Sequence, residues 1–133
     1  MYKRQLQKES LTVRLQAYER LALFLERISP QNLLRRVLPI SAKNEDYKSL
    51  LVSTIEQEFD HNLSQQIYVS DQCWRMLTSA KNSSIQVIMA FENNNVKDAN
   101  EMPPLLLESL LKSKISPAMA LNFLNEEVSI LLK

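Results

Sequence analysis

Apolar side chains recur along this chain in steps of three and four, the period at which one face of an α-helix repeats. Leu11, Leu15, Tyr18, Ala22 and Leu25 follow one another at alternating steps of four and three, and Leu21, Phe24 and Ile28 form an adjacent stripe. This predicts a first helix from about Leu11 to Ile28, covered on more than one side, with Gln16, Glu19, Arg20, Glu26 and Arg27 largely outside the stripes. Ser29-Pro30 then stops it and reads as N-cap plus first helical residue, so a short second helix is expected over Pro30 to Leu38, ended by Pro39. Tyr47, Leu51, Ile55, Phe59, Leu63 and Ile67 stand at steps of four, which predicts a long third helix from Asn44 to about Ile67. Asn44 is its candidate cap, and Glu45 and Asp46 suit the positive end of its dipole.

Ser70-Asp71 caps an expected fourth helix running to about Phe91, with Cys73, Leu77, Ala80, Ser84, Val87 and Phe91 on one face and Trp74, Met76 and Ile88 beside it. Asn82-Ser83-Ser84 is its weak point, because short polar side chains compete for backbone hydrogen bonds. From Asn93 to Met102 the chain is polar and aperiodic, which reads as the longest loop and a hinge at about residues 93–103. Pro103-Pro104 opens a fifth helix to about Lys114, with Leu106, Leu107, Leu110 and Leu111 expected inward. Ser116-Pro117 opens a sixth, on which Leu121, Leu124, Val128 and Leu131 recur at steps of three and four. The fold expected is all-α, a compact bundle of five or six helices without a sheet.

Composition strengthens that expectation at one point. The 133 residues contain no glycine, whereas average usage predicts roughly nine in a chain of this length. Tight hairpins, bulges and phosphate loops most need glycine, so the sheet-based repertoire and glycine-rich nucleotide loops are disfavoured. A chain of this size buries roughly two-thirds of its unfolded surface, enough for one core. The formal net charge is +1, with both signs interspersed; no long-range field gathers a polyanion, and nucleic acid is not an expected partner. Nothing approaches the run of about 18 apolar residues that a membrane span needs.

Candidate chemistry is sparse. Cys73 is the only cysteine, which excludes an internal disulfide and a multi-cysteine zinc site, and it is expected in the core. Glu58-Phe59-Asp60-His61 places a carboxylate and an imidazole at the spacing used in di-iron bundles, but such sites use two of these motifs and His61 is the only histidine. Glu58 and His61 remain the candidate centre of an enzyme, against the plainer reading of a surface histidine. No serine sits in a glycine-flanked elbow, and carboxylate pairs drawn from Glu56, Glu58, Glu126 and Glu127 are ordinarily solvent-facing. No cofactor or metal is expected. The run from His61 through Asn62, Gln65 and Gln66 is more polar than a core helix requires and reads either as a solvated face or as an amide-rich contact surface. Trp74 and Tyr18 are expected in the core.

Two segments carry a resemblance. Arg14-Leu15-Gln16-Ala17-Tyr18-Glu19-Arg20-Leu21 with Phe24-Leu25-Glu26-Arg27-Ile28-Ser29-Pro30, and Glu58-Phe59-Asp60-His61-Asn62-Leu63-Ser64-Gln65-Gln66-Ile67-Tyr68-Val69-Ser70 with Trp74, resemble an uncharacterised family of small bacterial proteins. In that family one N-terminal transmembrane helix and a charged connector precede a helical cytoplasmic domain. The resemblance covers about Leu11 to Phe91 and implies no catalytic residues. It implies that this chain is the domain without its anchor, held in the complete protein at the cytoplasmic face of the inner membrane. Met1-Tyr2-Lys3-Arg4-Gln5 also matches what one frame of a sequencing-library transposon end encodes, so residues 1–10 are read as a disordered or artefactual segment and 11–133 as one helical domain.

The function expected from these readings is a non-enzymatic interaction or scaffold module. Its partner is a protein or a second copy of the chain, and it touches a membrane only through the missing anchor. Asn62, Gln65, Gln66 and His61, with the Arg35-Arg36 pair, are the candidate contact residues.

Overall fold

The computed structural model describes the backbone of residues 2–133 and the side chains of residues 10–133. Among the described residues there are six α-helices and two 3-10 turns, and no strand. The helices are α1 (Tyr2–Ile28), α2 (Pro30–Arg36), α3 (Asn44–Asp60), α4 (Asp71–Ala90), α5 (Met102–Leu111) and α6 (Pro117–Leu131). α6 packs on both α1 and α4, α3 packs on α4, and α2 and α5 pack against each other.

The stripes read from the sequence form the core. Tyr18, Leu21, Phe24, Leu25 and Ile28 from α1 meet Tyr47, Leu51, Ile55 and Phe59 from α3, Cys73, Leu77, Ala80 and Ile88 from α4, and Leu106, Leu110 and Leu124 from α5 and α6. Burying side chains of this size contributes about 1.5–3 kcal/mol each. Phe24, Phe59 and Trp74 stack in sequence, with ring centroids 6.0 and 5.4 Å apart, and the Lys81 ammonium lies 4.4 Å from the centre of the Phe59 ring. Trp74 is half-buried rather than enclosed, and Leu11 and Leu15 are likewise only partly covered.

Several boundaries differ from the expectation. α1 begins at Tyr2 rather than near Leu11; Met1 and the side chains of residues 2–9 lie outside the described residues, as does the question of how Met1–Gln5 arose. α3 ends at Asp60 instead of Ile67. There the Asn62 amide donates to the Glu58 carbonyl at 2.7 Å and the Asn62 backbone N–H to the Phe59 carbonyl at 2.9 Å, both taking acceptors that a continuing helix would use. The chain tightens into a 3-10 turn over Leu63–Tyr68. Its shorter period moves Leu63 and Ile67 off the α3 stripe, and Ile67 is 80% exposed. α5 runs one residue earlier than expected and stops at Leu111, so Leu106 and Leu110 are buried, Leu107 is half-buried and Leu111 is 60% exposed.

The caps sort by geometry. Ser70 and Ser116 accept from the backbone N–H groups of Cys73 and Met119 at 3.0 and 3.2 Å. Ser29 holds the capping position of α2 but donates instead to the Glu26 carbonyl, and Asn44 forms no cap on α3, where Ser41 bridges the Lys43 N–H and the Asp46 carboxylate. α4 runs unbroken through Asn82-Ser83-Ser84: Ser84 donates to the Ala80 carbonyl and Ser83 pairs with Ser113, so both hydroxyls are satisfied without opening the helix. In the segment read as a hinge, Val96 and Ala99 are buried, and the Ala99 N–H donates to the Ala42 carbonyl at 2.9 Å, joining it to the α2–α3 connection.

Candidate interaction site

Arg20, Leu23 and Arg27 stand at i, i+3 and i+7 on α1 and therefore project from one side of the helix. This is the side opposite the core stripe, and Leu23 is 56% exposed on it. Its neighbour Phe24 is buried, so the polypeptide turns one large apolar residue outward and the next inward. Pro30 starts α2 immediately after α1 and swings Asn32, Arg35 and Arg36 back toward that face. The end of α3 brings Glu58, His61 and Asn62 from the other flank. The result is two adjoining clefts. One, of about 310 Å³, is lined by Arg20, Leu23, Phe24, Arg27, Glu58, His61 and Asn62. The other, of about 270 Å³, is lined by Leu23, Glu26, Arg27, Asn32, Arg35 and Arg36. Leu23 and Arg27 border both.

Glu58 organises the junction. Its Oε1 accepts from Arg27 Nε at 3.1 Å and Nη2 at 2.8 Å, and it lies 3.0 Å from Arg36 Nη1. Arg36 Nη2 also donates to the Arg27 carbonyl at 3.0 Å, one of the last carbonyls of α1, where a cation is favoured by the helix dipole. One carboxylate thus fixes two guanidiniums, whose planar forks retain further N–H donors. Glu58 Oε2 is buried and has no hydrogen-bond partner among the described residues. Arg35 donates to Asn32 Oδ1 at 2.5 Å, and Asn32 in turn to the Glu26 carbonyl at 2.8 Å. Arg20 forms no ion pair among the described residues. Four arginines therefore line the two clefts with only Glu26 and Glu58 of opposite sign, in a chain whose net charge is +1.

The structure brings Glu58, His61, Asn62 and Arg36 to one junction and Arg35 to the adjoining cleft. It does not bring Gln65 or Gln66 there. Gln65 is 8% exposed and donates to Ser64, and Gln66 is exposed on the 3-10 turn but borders neither cleft. The amides would share a face only on a continuous helix, and α3 ends before them. His61 and Glu58 line the same cleft without a hydrogen bond between them. The carboxylates Glu56, Glu58 and Glu127 go to separate partners: Glu56 pairs with Lys81 at 3.1 Å, Glu58 with the arginines, and Glu127 with hydroxyls. Among the described residues no group of three or more His, Cys, Asp or Glu is arranged to hold a metal ion. Arg20, Leu23 and Arg27 escaped the sequence reading, although a lone leucine framed by arginines a heptad apart, on the polar side of an amphipathic helix, is the signal that marks them.

A second polar cluster lies where α1, α4 and α6 meet. The Tyr18 hydroxyl donates to Glu127 Oε2 at 2.7 Å, and Ser70 donates to the same carboxylate at 2.6 Å while its Oγ accepts from the Cys73 N–H at 3.0 Å. Burial, then the bond to Glu127, raises the Tyr18 pKa above its ordinary 10.0. Burial first, and the Glu127 charge second, push the Cys73 thiol up to about 12. A thiol held protonated is a poor nucleophile, so Cys73 serves packing.

The sequence profile of a family of unknown function, DUF7935, matches residues 1–131. The chain belongs to that family. No curated protein and no solved structure matches it. Membership in DUF7935 agrees with the resemblance to an uncharacterised family and supplies no catalytic or ligand-binding assignments.

Proposed function

We propose that this DUF7935 chain is a non-enzymatic interaction module that binds a protein partner on the α1–α2–α3 face. The observation that carries the reading is the exposed Leu23 set between two clefts and framed by four arginines, two of which Glu58 holds in place. Arginine is enriched at interface hot spots, and guanidiniums beside an exposed apolar side chain offer polar and apolar contact area together. His61, Asn62, Arg35 and Arg36 belong to this face. The resemblance further supports a module of bacterial origin, tethered at the cytoplasmic face of an inner membrane by an anchor preceding these residues; among the described residues no helix is long and apolar enough to cross a membrane.

The test is a photocrosslinking residue placed at Leu23 and, as a control, at exposed Met89 on α4, with the adduct identified and the pair reconstituted from purified components. A defined adduct at position 23, with an identified partner whose binding in the reconstituted pair is abolished by Leu23→Asp, supports the reading; a defined adduct only at Met89 overturns it. The rival reading is an enzyme centred on His61 and Glu58, favoured by their shared cleft. His61→Gln separates the two, since an interaction module keeps most of its binding and an enzyme loses its activity with the fold intact.

A further inference from the structure

The two clefts flank Leu23 on α1 in a way that constrains the shape of what can dock. Arg20, Leu23 and Arg27 repeat at the heptad period, and a recess lies on each side of the ridge they form. A ridge of this period with a recess on either side is what a second helix packs across, its side chains seated in the recesses. Strand addition, in which a partner pairs with an open sheet edge, has no place here, since the described residues contain no strand.

We infer, on the basis of the interaction reading above, that the partner element is an acidic amphipathic helix that sets an apolar residue against Leu23 and carboxylates against Arg20 and Arg35. The sign follows from charge: four guanidiniums line the clefts against two carboxylates, Glu26 and Glu58, and Arg20 forms no ion pair among the described residues. The choice of carboxylate over phosphate follows from Glu58. Its charge already occupies the position between Arg27 and Arg36, and a dianion placed there would face it, whereas singly charged carboxylates can use the outer arginines in bidentate pairs.

The experiment is a displayed library of amphipathic helices, panned on the purified chain, in which a central leucine is fixed and the positions three before and four after it vary among glutamate, lysine, glutamine and serine. Glutamate is expected to be enriched at both positions. The enriched peptide, made synthetically, should bind about tenfold more weakly to Arg20→Gln, a rim-to-core loss of about 1.4 kcal/mol, and not measurably to Leu23→Asp. Its affinity should also fall as salt is raised through the range where the Debye length shortens below about 10 Å. Both substitutions are at exposed positions, and an unchanged thermal midpoint confirms that the variants fold.

Enrichment of lysine or glutamine, in peptides that still lose binding to Leu23→Asp, would overturn the acidic class while leaving the interaction face standing. No enrichment, or peptides indifferent to Leu23→Asp, would overturn the face and with it the proposed function. Retention by anionic-lipid vesicles that is abolished by Arg20→Gln, without peptide enrichment, would overturn the protein partner in favour of a lipid surface.

Discussion

Glu127 and Glu58 are both carboxylates on helices, each gathering several donors, yet they do opposite work. Glu127 is bound by hydroxyls: Tyr18 and Ser70 donate to it, and both of its oxygens are occupied. The cluster is closed, knits α1, α4 and the end of α6 together, and leaves nothing for a ligand. Glu58 is bound by cations, one oxygen receiving two guanidiniums while the other has no partner among the described residues. Its cluster is open, with Arg27 and Arg36 on a surface next to an exposed leucine. Neutral donors saturate Glu127, whereas Arg27 and Arg36 keep N–H donors beyond those that Glu58 accepts, open to solvent or to a ligand.

Breaking the joint should produce the larger effect on stability. Glu127→Ala strands the Tyr18 hydroxyl in the core and removes the acceptor of Ser70, and a buried donor left unmade costs about 1–3 kcal/mol. A loss of about 2 kcal/mol is expected, or roughly 8 °C in thermal midpoint for a domain of this size. Glu127→Gln, which keeps an acceptor, should recover about half of it. A midpoint unchanged in both variants would mean that the cluster is decorative.

The joint also predicts an alkaline limit. Burial, then the Glu127 charge, pushes the Cys73 thiol up to about 12 from its ordinary 9.0, and Tyr47 is likewise pushed up to about 12 by burial, from 10.0. Between those values the unfolded chain has released protons that the folded one retains, so the folded state binds more protons and its stability falls as pH rises. Urea unfolding followed across this range should show a decline beginning near pH 9. Cys73→Ala should remove its first part and leave the part that begins near pH 10, where Tyr47 and Tyr18 contribute. A flat profile in the parent chain would contradict the burial of these groups.

Much of the joint was legible in the sequence and little of the binding face was. Tyr18, Cys73 and Ser70 could be placed because stripe and cap signals are local: each depends on spacing along one helix. Glu127 was seen only as one acidic residue among several, since its pairing with Tyr18 spans three helices and no periodicity encodes it. The end of α3 was misread because Leu63 and Ile67 continue a perfect step of four, while the competing signal, the Asn62 amide turned back to the Glu58 carbonyl, is a single side-chain bond. That misreading placed Gln65 on the surface and made the amides a strip. Arg35, Arg36, His61 and Asn62 were found as candidates, but Arg20, Leu23 and Arg27 were not, because a residue's role in a cleft depends on which elements fold back over it. The end of α3 closes one cleft over those three residues, and the Pro30 turn, which lays α2 beside α1, makes the second against Leu23 and Arg27.

The open cluster should respond more weakly and in a way that salt reports. Glu58→Ala leaves Arg27 and Arg36 facing each other without their shared acceptor. Both guanidiniums are partly solvated, with side-chain exposures of 46% and 34%, so the loss is expected at about 1 kcal/mol or less and should shrink as salt screens the repulsion. A double-mutant cycle with Arg36→Gln should recover part of that loss, because it removes one of the two unmatched charges. A penalty as large as that of Glu127→Ala, unaffected by salt, would make Glu58 a second structural joint and remove the distinction between the two carboxylates.

The smallest expected effect is the one that bears most directly on function. Leu23→Gln changes a side chain that is more than half exposed and outside the core, so the free chain should keep its stability within about 0.5 kcal/mol, as surface substitutions generally do. An exposed leucine between two clefts adds nothing that the isolated fold needs, and polar replacement there removes an apolar patch at no cost to packing. If urea unfolding instead shows a loss of about 2 kcal/mol or more, in the range of a buried leucine, then Leu23 is packed more tightly than the structure indicates and the ridge belongs to the core. If stability is unchanged while binding of an acidic helix is lost, the two properties separate at one residue, and the arginine face is then explained by what it binds rather than by what it holds together.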